Sequence, residues 1–267
     1  MFEQALEQYL KKSLIHAPEG LRAPILYSTL DAGKRIRPKL MIAMTQALGI
    51  DTQLILPAAA ALEIVHCFTL IHDDLPCMDD DELRRGKPSC HKQFGEAAAL
   101  LAGDAMIPLA YEILLQTDTD APKLLEAYRT LCQALGPQGV IGGQVREMEG
   151  KTISQTTVTR MHAEKTASLF VAACVLPSNL FLSHSTDKLQ ECGSALGLAF
   201  QLADDLEDRF EHSPTSMLEI LPLHEAQHMA TNYIKTARDS IQHLHAPHTL
   251  EPLFTSIEEK IHTACSM

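Results

Sequence analysis

Cysteine is scattered, basic residues are scarce, and alternating β-branched runs are missing. Each shortage removes a class of protein. Seven cysteines occur, an odd number with no Cys-x-x-Cys pair. That pattern argues against a disulfide framework and a zinc site, and fits reduced thiols in a cytoplasmic protein. Lysine and arginine number 22 against 34 aspartates and glutamates, a formal net charge of −12. Nucleic acid needs a basic surface, so it is not an expected partner, and anionic lipid headgroups would be repelled. No stretch alternates β-branched and polar residues, and no Asn-Gly or Asp-Gly turn marks a hairpin, so no sheet is expected. The N-terminus shows no apolar core of signal type. Phe2, Leu6, Leu10 and Leu14 fall instead on one helical stripe, with Glu3, Glu7, Lys11 and Lys12 off it. The most apolar stretch, Leu54 to Phe68, contains Pro57, Glu63 and His66. It reads as a buried helix and not a membrane span.

Good helix formers fill the rest. Breaks at Pro18-Glu19-Gly20, Gly33 to Pro38, Gly49 to Thr52, Gly86 to Ser89 and Thr117 to Pro122 divide the first half of the chain. Gly136 to Gly139, Gly150 to Thr152, Ser183 to Thr186, Glu211 to Pro214 and His245 to Pro247 divide the second. The spacing predicts roughly ten or more helices with short connections. With 267 residues, 46% of them apolar, and no long linker, the chain reads as one all-α domain over 1–267.

Six acids crowd the stretch Asp73-Asp74-Leu75-Pro76-Cys77-Met78-Asp79-Asp80-Asp81-Glu82, and Arg84, Arg85 and Lys87 follow. Carboxylates packed this densely repel each other, so the segment is either a solvated acidic loop or holds a cation, and the buried run before it favours the cation. Clustered hard oxygens suit Mg²⁺, and arginines suit a phosphate. Asp73 and Asp79 would diverge on a uniform helix, since each residue turns about 100°. A bend at Pro76 could bring them together. An EF-hand is excluded by the spacing. A second cluster, Asp204-Asp205-Leu206-Glu207-Asp208, places Asp204 and Asp208 one turn apart on a helix face. That pair is either a magnesium ledge or a solvated helix end.

The segment from His72 to Gly86 resembles the first aspartate-rich motif of the bacterial short-chain trans-isoprenyl diphosphate synthases. Gly33-Lys34-Arg35-Ile36-Arg37-Pro38, Phe94-Gly95-Glu96-Ala97 and Leu101-Ala102-Gly103-Asp104-Ala105 resemble further segments of that family. So do Gly142-Gly143-Gln144, Lys165-Thr166, and Phe200-Gln201 followed by Asp204, Asp205 and Asp208, all in family order over about residues 1–210. The resemblance implies the isoprenoid synthase fold, an all-α bundle around a deep central cavity, and a homodimer. It implies Mg²⁺, three ions with substrate bound, and condensation of isopentenyl diphosphate with an allylic diphosphate. It makes Asp73, Asp74, Asp79, Asp204 and Asp208 metal ligands. Arg84 and Lys165 would hold the allylic diphosphate. Lys34, Arg37, His66 and Arg85 would hold isopentenyl diphosphate, and Gln144 would join the substrate site. Thr166 and Gln201 would line the path of the allylic cation. Taken alone, these residues have plainer readings. Lys34, Arg35 and Arg37 could be a solvated basic turn, and His66 a core histidine. Lys165 could pair with surface acids, and Gly142-Gly143 could be a helix packing contact.

In this family product length is set just before the first motif. Phe68 and Thr69 stand five and four positions before Asp73, and five residues of helix rise about 7.5 Å. An aromatic at Phe68 resembles the farnesyl-forming members, with ordinary core as its plainer reading and geranylgeranyl diphosphate as the alternative product. The sequence departs from the family after Asp208. Relatives carry a Gly-Lys loop and then Gly-Lys-x-Thr-Tyr-Pro, whereas here Arg209 leads into Phe210 to Met217 and the next lysine is Lys235. Arg209 or His212 could substitute in part. Glu147 stands where relatives often have Asp. The expected result is a functional metal site with a looser closed state. Two other readings are a cyclase, which would need no isopentenyl diphosphate pocket, and a weakly active partner subunit of a heteromeric synthase.

Overall fold

Residues 1–30, 33–150, 154–182, 185–210 and 215–266 are described by a computed structural model. Thirteen α-helices form among them, and the breaks fall where glycine and proline cluster. The chain packs as two compact units. One comprises residues 1–42 and 52–118, the other residues 43–51 and 119–267.

The first unit holds α1 (Phe2–Ser13), α2 (Glu19–Leu30), α4 (Leu56–Asp73), α5 (Cys90–Phe94) and α6 (Glu96–Leu114). The helix α3 (Ile36–Ala47) runs from the first stretch of this unit into the second unit. Almost every side chain of α4 is buried, from Leu56 to Ile71. A helix apolar all round can exist in water only as a core element. Pro57 sits in its first turn, where a missing N–H costs nothing. The α1 stripe is realised: Leu6, Leu10 and the following Leu14 are buried, and α1 packs on α4. α6 packs on α4, and its buried residues include Ala99, Ala102, Met106 and Ile113. Among the described residues, α6 alone is long and apolar enough to cross a membrane by length and composition, and its buried face makes it a core helix.

Between α4 and α5 the chain makes a two-strand ladder, β1 (Leu83–Arg84) against β2 (Lys87–Pro88), with Arg84 opposite Lys87. The sequence predicts no sheet. The turn is Arg85-Gly86 with φ of 56° and 78°. Two positive values make the primed turn that matches strand twist, reached here without the usual Asn or Asp.

The second unit holds α7 (Ala121–Leu135), α8 (Val140–Glu149), α9 (Gln155–His162), α10 (Ser168–Phe181), α11 (Asp187–Glu207), α12 (Leu223–Ser240) and α13 (Glu251–Ser266). Asp120 caps α7 by accepting from the Lys123 amide, and Ser154 and Thr157 form a capping box on α9. α9 passes into α10 through one π-helical turn, Ala163–Ala167. α11 packs against α10, α12 and α13, and its inner face is a row of small and branched residues including Ala195, Leu198, Ala199 and Leu202.

Candidate functional site

The first acidic cluster sits at the C-terminal end of α4. The helix stops at Asp73 instead of bending through Pro76. Asp80 takes a φ of 51°, and the chain doubles back so that the Asp79 amide donates to the Asp73 carbonyl at 2.9 Å. Helix termination, and not a kink, thus brings the Asp79 backbone against that of Asp73. Asp79 is exposed and Asp73 half-buried. Asp74 turns inward. Its side chain is 2% exposed and accepts from Arg84 Nε at 2.8 Å and from Arg84 Nη2. Burial raises the Asp74 carboxyl above its ordinary value, and Arg84 opposes the rise. Arg84 also reaches Asp81 Oδ2 at 2.8 Å, so this arginine braces the acidic loop against its own repulsion.

The basic segment divides its residues between two tasks. Arg35 is no solvated turn residue. It is buried, with φ of 52°. It donates to Glu63 Oε1 at 2.6 Å, Glu3 Oε1 at 2.9 Å and the Thr29 carbonyl at 2.7 Å. That fastening sets the neighbouring positions. Arg37 Nη1 donates to His66 Nε2 at 3.2 Å. Burial holds the His66 pKa well below the ordinary value, with Arg37, Arg85, Arg35 and Arg84 adding to the depression. A neutral imidazole then accepts from Arg37. Arg85 lies against Gly33, where an added Cβ would come 2.6 Å from the Arg85 Cζ atom. Lys34 is exposed beside them. Arg37, His66 and Arg85 are therefore one basic patch, whereas Arg84 belongs to the acidic loop.

The second cluster lies at the C-terminal end of α11. A cavity of about 260 Å³ is lined by Glu147, Lys165, Gln201, Asp204, Asp208 and Thr215, among others. The π-turn brings Lys165 and Thr166 into this group together. Lys165 is bonded to Glu147, and Thr166 Oγ1 donates to Gln201 Oε1 at 2.6 Å. Gly143 of α8 meets the Lys165 backbone so closely that a Cβ there would collide with it, so Gly143 is a packing contact that seats the lysine. Gln144 is buried, and its Oε1 has no hydrogen-bond partner among the described residues. Asp205 lines the same cavity but is buried and already engaged. It accepts from Gln201 Nε2 at 3.1 Å and from the Met217 amide at 2.8 Å. Burial raises the Asp204 carboxyl, Asp208 and Glu207 add to the rise, and Lys260 opposes it.

Sequence reasoning missed three contributors. The π-turn left no local signal. His162, buried and bonded to the Thr215 carbonyl at 3.2 Å, carried no pattern. Lys260 of α13 is bonded to Asp204 and lies far along the chain from it. Of the two candidate stand-ins for the missing lysines, Arg209 stacks on Phe210 at 4.3 Å and donates to the Leu206 carbonyl. His212 lies outside the described residues.

Phe68 and Thr69 are both buried in α4. Phe68 meets His72 edge-on at 5.8 Å, and Thr69 donates to the His66 carbonyl at 2.8 Å. Among the described residues no three Asp, Glu, His or Cys side chains close into a metal site. The donor set still fits magnesium, which takes one or two carboxylates and keeps places for water and substrate phosphate. Asp73 with Asp79, and Asp204 with Asp208, offer such carboxylates, Asp204 once Lys260 releases it.

Residues 18–217 match the family model for polyprenyl synthetase. The farnesyl diphosphate synthase of Geobacillus stearothermophilus is 40% identical over 214 residues, 77% of this chain and 71% of that protein. The geranylgeranyl diphosphate synthase of Cereibacter sphaeroides is 37% identical over 215 residues, 78% of this chain and 73% of that protein. A solved geranyltransferase from Legionella pneumophila superimposes with a TM-score of 0.89 at 30% identity, covering 98% of this chain and 96% of the other.

Proposed function

Because the chain belongs to the polyprenyl synthetase family and has its all-α isoprenoid synthase fold, we propose that it is a magnesium-dependent trans-prenyltransferase. It joins isopentenyl diphosphate head-to-tail to dimethylallyl or geranyl diphosphate and makes farnesyl diphosphate. The observation that carries this reading is the basic patch of Arg37, His66 and Arg85 in the same unit as the backbone-joined Asp73 and Asp79. A cyclase would need the acids and not the patch.

The residues divide the work. Asp73 and Asp79 in one unit, and Asp204 and Asp208 in the other, supply oxygens for magnesium, three ions with substrate bound. Asp74, a metal ligand by resemblance, is instead buried against Arg84 and braces the acidic loop from behind. Bound magnesium would neutralise the diphosphate that leaves as the allylic C–O bond breaks. Lys165 and Arg84 add charge-assisted hydrogen bonds to that leaving group. Lys34, Arg37 and Arg85 hold isopentenyl diphosphate by direct charge, and neutral His66 joins them through its remaining ring N–H. Thr166, bonded to Gln201, turns oxygen lone pairs toward the allylic cation, where fixed dipoles stabilise developing charge. Gln144 presents its unpaired oxygen to the same substrate. The released diphosphate takes the final proton, so no protein base is required. The whole chain, 1–267, works as one polyprenyl synthase domain in the cytoplasm. It works as a homodimer, and size-exclusion chromatography with light scattering checks the mass.

Phe68 floors the cavity for the growing chain, which favours C15 over C20. Relatives of both kinds resemble this chain. Phe68→Ala is expected to shift products toward geranylgeranyl diphosphate. An unchanged product length places the floor elsewhere. Purified protein with Mg²⁺, isopentenyl diphosphate and each allylic primer, followed by mass spectrometry, tests the main reading. Elongated diphosphates support it, and hydrocarbons or alcohols indicate a cyclase. A second reading, a weak partner subunit of a heteromeric synthase, is favoured by the missing lysine loop. It predicts no turnover with any primer until a second synthase chain is added.

A further inference from the structure

Only two lysines follow Asp208 in the sequence, Lys235 and Lys260. Lys235 is exposed on α12. Lys260 lies on α13, beyond the stretch matched to the family. Its ammonium is bonded to the Asp204 carboxylate and stands 2.8 Å from Glu207 Oε2. The same nitrogen lies 5.5 Å from the centre of the Phe200 ring. Its side chain is only 17% exposed. A surface lysine that forms a single pair gives up rotamer freedom for little gain. Three contacts from one helix, Asp204, Glu207 and Phe200, define a seat instead.

We propose that Lys260 is a diphosphate-binding residue that replaces the lysines missing after Asp208, and that it occupies Asp204 until metal and diphosphate arrive together. This rests on the reading that the second cluster holds a metal–diphosphate complex. Charge counting supports the role. Asp204, Glu207 and Asp208 place three negative charges at the end of α11, and Lys260 returns one. A divalent cation entering alone competes with the ammonium for the same Asp204 oxygen. A cation entering with a diphosphate releases the ammonium toward new phosphate oxygens, which are strong partners for it. The flexible four-carbon stem permits that transfer without movement of α13. Lys260 therefore weakens metal binding alone and strengthens metal binding with diphosphate, a coupling that must be reciprocal.

The test uses the full chain as wild type, Lys260→Ala, Lys260→Met and Lys260→Arg. Free Mn²⁺ is measured by electron paramagnetic resonance, with and without inorganic pyrophosphate. Without pyrophosphate, Lys260→Ala and Lys260→Met are expected to bind Mn²⁺ several-fold more tightly than wild type. With Mn²⁺ saturating, both are expected to bind pyrophosphate about tenfold more weakly, the effect of one lost charge-assisted hydrogen bond. Lys260→Arg should restore most of that affinity. Lys260→Met keeps an apolar stem over Phe200, so a deficit shared by both neutral variants is one of charge and not of packing. Unchanged pyrophosphate affinity in a variant that still binds Mn²⁺ overturns the role of Lys260 and leaves the family reading standing. Absence of Mn²⁺ and pyrophosphate binding in all four proteins overturns the metal-site reading itself, and this proposal with it.

Discussion

Arg35 and Glu63 face each other with 3% and 2% of their side chains exposed. Removing one member of a buried pair leaves an uncompensated charge and costs about 3–5 kcal/mol. Glu63→Gln is therefore expected to lower urea-measured stability by about 3 kcal/mol. Glu3 pairs with the same arginine but is 57% exposed, and Glu3→Gln is expected to cost under about 1 kcal/mol. His66 gives a pH-dependent counterpart. Burial and its arginine neighbours depress its folded pKa, so the unfolded chain binds the proton that the folded chain refuses. Its contribution to stability is complete above about pH 6.5 and is lost as pH falls from there toward the folded value. The stability difference between wild type and His66→Gln is expected to be larger at pH 7.5 than at pH 5.5, as measured by denaturant titration. The family resemblance marked Lys34, Arg37, His66 and Arg85 as a group and left Arg35 out. Residue types alone gave no reason for the choice, since only folding shows which guanidinium meets a carboxylate and which meets an imidazole.

At the scale of elements, helix breaks were legible because glycine and proline act on the backbone locally. The π-turn at Ala163–Ala167 was not, because one extra residue in a helix is retained for what it aligns outside the helix, here Lys165 and Thr166. The ladder at β1 and β2 was hidden for a related reason. Its turn places Arg85 in the left-handed region, where a side chain costs about 1 kcal/mol. Arg85→Gly is expected to leave the unfolding midpoint unchanged or raise it. Its KM for isopentenyl diphosphate is expected to rise about tenfold, the weight of one charge-assisted contact. An Arg85→Gly enzyme with unchanged KM removes Arg85 from the substrate patch.

For the whole molecule, a net charge of −12 over 267 residues means that folding gathers mutually repelling carboxylates. Salt shortens the reach of that repulsion to about 8 Å at physiological strength. The melting temperature is therefore expected to rise between 20 and 200 mM NaCl, in differential scanning calorimetry, with Mg²⁺ absent. The fold class was legible in the sequence because several separate segments stand in family order. Lys260 was illegible because 55 residues separate it from Asp204, and no pattern links positions that only a tertiary contact joins.

The Met217 amide is held by Asp205, and the Thr215 carbonyl by His162. The chain after the second cluster is thus moored downstream of the place where relatives carry extra residues. These two bonds tie Thr215 and Met217 to α9 and α11, the helices that line the second cluster, so the rim of that cavity is fastened to its walls.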